Sequence, residues 1–163
     1  MALTPDGLIT AVKIKLESIA GVGLVYDYRR EVRDEPGARA LWYHTGQGRI
    51  HAWSVTLAEP PARSTRGPGF GAVGSGQAGR VLTDFGVAVE GVFGIDDVAA
   101  SEKTFRTLCW SVALEFNKVG LLTVDVVHQD PMQWERFGYL ILASLYHVHY
   151  ARLTCRFIGQ VAP

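Results

Sequence analysis

The sequence has no excess of either charge: its 163 residues carry 16 Lys plus Arg against 16 Asp plus Glu. A free-standing nucleic-acid binder normally carries a basic excess that displaces counterions, so that class is disfavoured. Neutrality also removes long-range repulsion between copies, which suits a subunit of an assembly. Cysteine is scarce, with only Cys109 and Cys155, too few for a disulfide framework. Both lie in apolar surroundings and are expected as buried free thiols, in a reducing compartment. Long apolar runs are missing too. The longest, Tyr139 to Tyr146, is eight residues interrupted only by Ser144, against the roughly 20 that a membrane helix needs. The first six residues, Met1-Ala2-Leu3-Thr4-Pro5-Asp6, have no basic and then apolar character. No signal peptide is expected, and a soluble protein made in the cytosol is. What the chain does have is 48% apolar residues, which argues against disorder, and a length suited to one domain over residues 1–163.

Two helices stand out. Thr4, Pro5 and Asp6 form a helix start, Leu8, Val12, Leu16 and Ile19 recur on one face, and Gly21 ends the segment. A central helix over Ser101–Lys118 has the buried stripe Phe105, Leu108, Cys109, Val112 and Phe116, with Asp96, Asp97 and Ser101 as cap candidates. Strands are expected over Leu24–Arg30, Arg49–Leu57, Val81–Phe93, Leu122–His128 and Tyr146–Ile158, and a short one over Ala40–Tyr43. In the last long strand Ala151, Leu153, Cys155 and Phe157 face inward, and Arg152, Thr154 and Arg156 outward. Arg33-Asp34-Glu35-Pro36-Gly37 and Gln129-Asp130-Pro131 read as turns, residues 132–138 as a linker, and Tyr139–Leu145 fits strand or helix. This order implies an α+β fold: a mostly antiparallel sheet flanked by an N-terminal and a central helix.

Between two strands, residues 59–80 hold Pro60, Pro61, Pro68 and six glycines, a connection too long for an ordinary hairpin. The segment reads as a glycine-rich hairpin arm over about residues 60–80. From Pro60 to Arg80 it carries Arg63, Arg66 and Arg80 and no acid, which leaves the rest of the chain at −3. Its glycines match G-x-G-x-x-G twice, at Gly69, Gly71 and Gly74 and at Gly74, Gly76 and Gly79. A dinucleotide site needs a helix directly after those glycines, and the segment that follows reads as a strand. A flexible arm explains the composition better.

Other chemistry is weakly signalled. His128, His147 and His149 could supply three zinc ligands, the set of a small metal-dependent enzyme, although no Glu-bearing zinc helix accompanies them. The bland reading is partly buried or interface histidines. No serine sits in G-x-S-x-G, and Cys109 lacks the polar neighbours of a reactive thiolate. No enzyme activity and no cofactor are expected. Arg29, Arg30 and Arg33 are balanced by Glu31, Asp34 and Glu35, which favours a salt-laced surface or subunit contact over phosphate binding. Tyr26, Tyr28, Trp42, Tyr43, Trp53 and Tyr150 must divide between the core and an interface.

In element order the chain resembles the tail-terminator proteins of long-tailed bacteriophages and related minor tail and neck subunits. The resemblance rests on the leading helix Thr4–Ala20, the extended hairpin, the central helix Ser101–Lys118 and the closing strand Tyr146–Ile158. The segments Gly23-Leu24-Val25-Tyr26-Asp27-Tyr28-Arg29 and Tyr146-His147-Val148-His149-Tyr150-Ala151-Arg152-Leu153-Thr154 are similar in texture to that group. It implies a structural virion protein, assembled in the host cytoplasm and placed at the head-proximal end of the tail. Six copies would form a ring that caps the tail-tube protein and joins the head–tail connector protein. DNA would pass the lumen without specific binding, and no membrane would be involved. Tail-tube or head–tail connector subunit is the neighbouring reading. The arm, with Arg63, Arg66, Phe70 and Arg80, would reach a partner ring. Tyr26, Tyr28, Arg29, Arg30, Trp42, Arg152 and Arg156 are the expected subunit-contact residues.

Overall fold

The computed structural model describes residues 4–30, 34–64, 81–118, 121–123, 126–144 and 146–161. Helix α1 (Pro5–Glu17) starts as the sequence predicts: the Thr4 hydroxyl accepts from the Gly7 N–H at 3.0 Å, and Leu8, Ile9, Val12 and Leu16 are buried. Strand β1 (Leu24–Tyr26) follows, shorter than the predicted Leu24–Arg30. A Cβ on Gly23 would lie 2.3 Å from the His51 carbonyl oxygen, so only glycine lets the chain enter the sheet there.

The next segment corrects the sequence reading. Of the turn predicted at Arg33–Gly37 and the strand predicted at Ala40–Tyr43, Glu35–Gly37 and Ala40–Trp42 belong to one helix, α2 (Glu35–Trp42). Asp34 caps it by accepting from the Gly37 N–H at 2.8 Å, and Pro36 sits in its first turn. Asp, Glu and Pro in that order serve a helix start as well as a turn. Strand β2 (Tyr43–His44), a 3-10 turn (Thr45–Gln47) and β3 (Arg49–Leu57) come next. A short β4 (Ala62–Ser64) pairs with the start of β5 (Val81–Gly94), so a hairpin base stands where the arm was predicted.

Helix α3 (Ser101–Asn117) buries its predicted stripe. Its N-cap position is Ala100, in the left-handed region at φ 50°, with no side-chain cap. Instead Asp96 Oδ1 accepts from the Ala99 N–H at 3.0 Å, and Ser101 Oγ from the Asp96 N–H at 2.8 Å. Beyond α3 the predicted Leu122–His128 strand divides into β6 (Leu121–Thr123) and β7 (Val126–Leu142). The turn predicted at Gln129–Pro131 lies inside β7, which keeps pairing with β8 (Tyr146–Val161) through register shifts between His128 and Gln133 and between Trp134 and Arg136. Such bulges accommodate a proline that has no N–H to donate. The Asn117 side chain, at the end of α3, accepts from the Met132 N–H at 2.7 Å. Ala143 and Ser144, at φ 50° and 58°, turn the chain into β8.

The sheet order is β1-β3-β5-β8-β7-β6, with β2 on β3 and β4 on β5. Among the described residues only β1–β3 is parallel, so the fold is α+β with a mostly antiparallel sheet. Helices α1 and α3 cover one face. There Leu8, Val12, Leu16, Phe105, Cys109, Val112 and Phe116 pack with Trp53, Val55, Phe85, Val87, Val89, Phe93, Ala151, Leu153, Cys155 and Phe157. The Trp53 indole crosses Gly91, its register partner on β5, where a Cβ would lie 2.6 Å from the ring. Cys109 and Cys155 are buried and unbonded, and burial pushes both thiols up to about 12. No helix among the described residues is long and apolar enough to cross a membrane.

Candidate functional site

The second face of the sheet lacks the α1–α3 layer and carries the chain's polar chemistry. Strand register places Tyr26, Ser54, Glu90, Arg152 and Arg136 in one level row across β1, β3, β5, β8 and β7. Glu90 is the centre of that row and is 7% exposed. Its Oε1 accepts from the Tyr150 hydroxyl and from Arg152 Nη1, each at 2.8 Å, and Arg29 Nε lies 3.7 Å from Oε2. Arg152 Nε also donates to Glu135 Oε2 at 2.7 Å. These partners compensate a carboxylate that would be costly to bury alone. Burial, then the bond to Glu90, raises the Tyr150 hydroxyl above its ordinary range, and the bond to Glu135 raises the Arg152 guanidinium.

A second cluster lies toward the arm. Arg156 bridges Glu59 at 2.9 Å and Asp84 at 3.5 Å. Glu59 packs over Gly86, where a Cβ would come within 3.0 Å of its side chain. Both clusters are therefore charged and internally neutralised.

Helix α2 crosses the other end of this face, where the Tyr146 hydroxyl donates to Glu35 at 3.2 Å. Between α2 and the sheet is a cavity of about 100 Å³ whose lining includes Tyr26, Arg29, Arg30, Trp42, Glu90 and Tyr150. The Tyr26 hydroxyl donates to the Leu41 carbonyl and so ties β1 to α2. The Arg30 guanidinium lies between two rings, 4.5 Å from the Tyr26 centroid and 4.7 Å from that of Tyr28.

Of the residues singled out in the sequence, Tyr26, Arg29, Arg30 and Trp42 thus gather on one cavity, with Arg152 linked to it through Glu90. Tyr28 flanks it and is exposed, whereas Arg156 belongs to the separate Glu59–Asp84 cluster. The Arg63 backbone pairs with Thr83 at the hairpin base, and Arg66, Phe70 and Arg80 lie outside the described residues. Sequence reasoning missed Glu90 and Glu135, and it named Tyr150 only among the aromatics to be divided between core and interface. A signal for the first was available: Glu90 is the one charge inside Phe85–Phe93, and a charge in an apolar strand needs a partner.

The three-histidine cluster is not assembled. His128 pairs with Phe157 and His149 with Tyr139, eight positions apart along β8, which is about 26 Å at ~3.3 Å per residue. His147 is exposed, while His149 is buried beneath the start of α3. His149 Nε2 lies 2.9 Å from Ser101 Oγ, which also accepts from the Asp96 N–H. Burial lowers the His149 pKa. Among the described residues no group of three His, Cys, Asp or Glu is placed to hold a metal. A further buried histidine, His51, contacts Gln47 Oε1 through Nδ1 and accepts from Trp53 Nε1 at 3.0 Å. Burial, then His44 and Arg49, lowers its pKa to about 4, so it is neutral at pH 7. The G-x-G-x-x-G glycines lie outside the described residues, and the element that follows them is strand β5, with no helix N-terminus for a pyrophosphate.

A scan against protein-family models finds no match, and a search of curated protein sequences finds none either.

Proposed function

We propose that this chain is a structural, ring-forming subunit of the tail of a long-tailed bacteriophage. In this reading it is a terminator, probing for no substrate: it caps the tail tube and joins it to the head connector. The observation that carries the reading is the order and placement of the elements. An amphipathic leading helix, a hairpin at one end of the sheet (β4–β5), a central helix and a long closing strand occur in the sequence of that architecture. The uncovered sheet face supports it as well. Arg152 and Arg156 are matched to carboxylates within the same chain and Arg29 lies beside Glu90, so most of the charge on this face is neutralised and does not hold copies apart. The competing metal-enzyme reading on His128, His147 and His149 is opposed by the strand register.

The test is microscopy of the purified protein with a mass measurement, together with metal analysis. Closed rings of about 100 Å or less across support the reading, a size that follows from packing six domains of this length. Long open stacks would favour a tail-tube subunit, and a monomer with stoichiometric zinc would overturn it.

A further inference from the structure

Among the described residues the outer edge of β7 is unpaired over most of its length. On its inner side β7 pairs with β8 in unbroken register from Arg136–Arg152 to Leu142–Tyr146. On its outer side β6 reaches only Val126 and Val127, and among the described residues no strand pairs beyond that point. Proteins normally blunt such an edge with charges, prolines or bulges. Here those devices end at Arg136: Asp130, Pro131, Glu135, Arg136 and the three register shifts. Phe137-Gly138-Tyr139-Leu140-Ile141-Leu142 has no charge, no proline and no shift. Tyr139 and Ile141 are 61% and 60% exposed, and a Cβ on Gly138 would meet nothing within 4 Å.

From this edge we infer that residues Arg136–Leu142 are the seam at which a second copy of this chain adds its β1 edge. The inference rests on the ring reading and names the contact that closes the ring. Strand β1 lies at the opposite end of the sheet and pairs only with β3 among the described residues. Following the pairings across the sheet, β1 and β3 run one way, β5 the other, β8 with β3, and β7 with β5. Two copies set side by side in the same orientation therefore bring β7 and β1 together antiparallel, the better-paired arrangement. Levels agree too: Tyr26 and Arg136 end the same row of the sheet. So do charges. Asp27, directly after β1, and Arg136 are both exposed, and neither forms an ion pair among the described residues. A head-to-tail seam brings this acid near this base. Pairing of β7 with β7 would set two copies of Arg136 against apolar ends. A head-to-tail contact repeats around a ring, whereas a β7–β7 contact stops at a dimer.

The test uses the full chain. Gly138→Lys/Ile141→Lys adds charge where side chains have room, so its melting temperature should stay within about 3 °C of wild type, as for ordinary surface changes. Light scattering should give a ring for wild type and a monomer for the variant. Amide exchange over residues 136–142 should be slow in the ring and fast in the monomer. For direction, Leu24→Cys/Gly138→Cys should oxidise to a ladder of linked subunits, while Gly138→Cys alone should not. A ring that survives the double lysine change overturns the seam and leaves the ring reading standing. A Gly138→Cys dimer without the ladder overturns the head-to-tail direction. Wild type that is monomeric at every concentration overturns both readings.

Discussion

Glu90 and Arg152 are register partners on β5 and β8, joined at 2.8 Å on the sheet face that α1 and α3 leave uncovered. Glu90 is 8% exposed at its side chain and Arg152 26%, so the pair is sheltered on one side and solvated on the other. Removing the base strands a buried carboxylate that keeps only the Tyr150 hydroxyl and the distant Arg29. Arg152→Ala should cost about 2 kcal/mol or more in denaturant unfolding, below the range for fully buried pairs because Arg152 is partly solvated. Glu90→Gln should cost less, since the amide keeps an acceptor for Tyr150. A double-mutant cycle gives the coupling, and a value near zero would remove the pair from any structural role.

Gly91 tests the close approach of strand and indole. With a Cβ 2.6 Å from Trp53, Gly91→Ala must displace a fully buried ring. The expected loss is about 1–3 kcal/mol, the usual cost of overpacking. Gly138→Ala, in open space, is the control and should be close to neutral.

His51 gives the protein an acid-side instability. Its folded pKa is about 4 against 6.5 for the free side chain, so the unfolded chain binds the proton more readily. The stability linked to this group is complete above pH 6.5 and declines as pH falls from 6.5 toward 4. The full loss is roughly 3 kcal/mol at about 1.4 kcal/mol per pKa step. His149, also lowered by burial, acts in the same direction. Stability measured from pH 7 to 4 should fall less steeply in His51→Gln than in wild type. Equal slopes would show that His51 is not held neutral.

The two thiols should be silent. With both pushed up to about 12 by burial, Cys109 and Cys155 should react with a thiol reagent at pH 8 only as fast as the protein unfolds. Fast labelling of the native protein would contradict their burial.

The proposed arm can be tested by separating assembly from folding. Deleting residues 64–78 should leave the monomer's melting transition nearly unchanged, since a glycine-rich stretch with one aromatic residue, Phe70, has little apolar area to add to a core. The same deletion should abolish docking of the ring on its partner. Ordering such a segment costs about 1–2 kcal/mol per residue, so its anchors matter, and Phe70→Ala should weaken docking without lowering the melting temperature. Tube capping by the shortened protein would remove the arm from the contact.

The sequence by itself determined the elements whose periodicity is uninterrupted. In α1, α3, β3, β5 and β8 the apolar spacing alone picks the buried face, and Leu8, Phe105, Val87 and Leu153 lie where it puts them. Where local chemistry serves two structures, the tertiary structure decided. Asp34-Glu35-Pro36 starts a helix because α2 can lie over the exposed sheet face, with Tyr26 and Tyr146 holding its two ends. Asp130-Pro131 stays within β7 because pairing with β8 continues on both sides and bulges absorb the proline. The candidate surface divides in the same way. Tyr26, Arg29, Arg30, Trp42 and Arg152 were legible as residue types, but their gathering around Glu90 depends on strands far apart in the chain. The open edge of β7 was not legible at all, because an unpaired edge is a property of the sheet order, which no local pattern encodes.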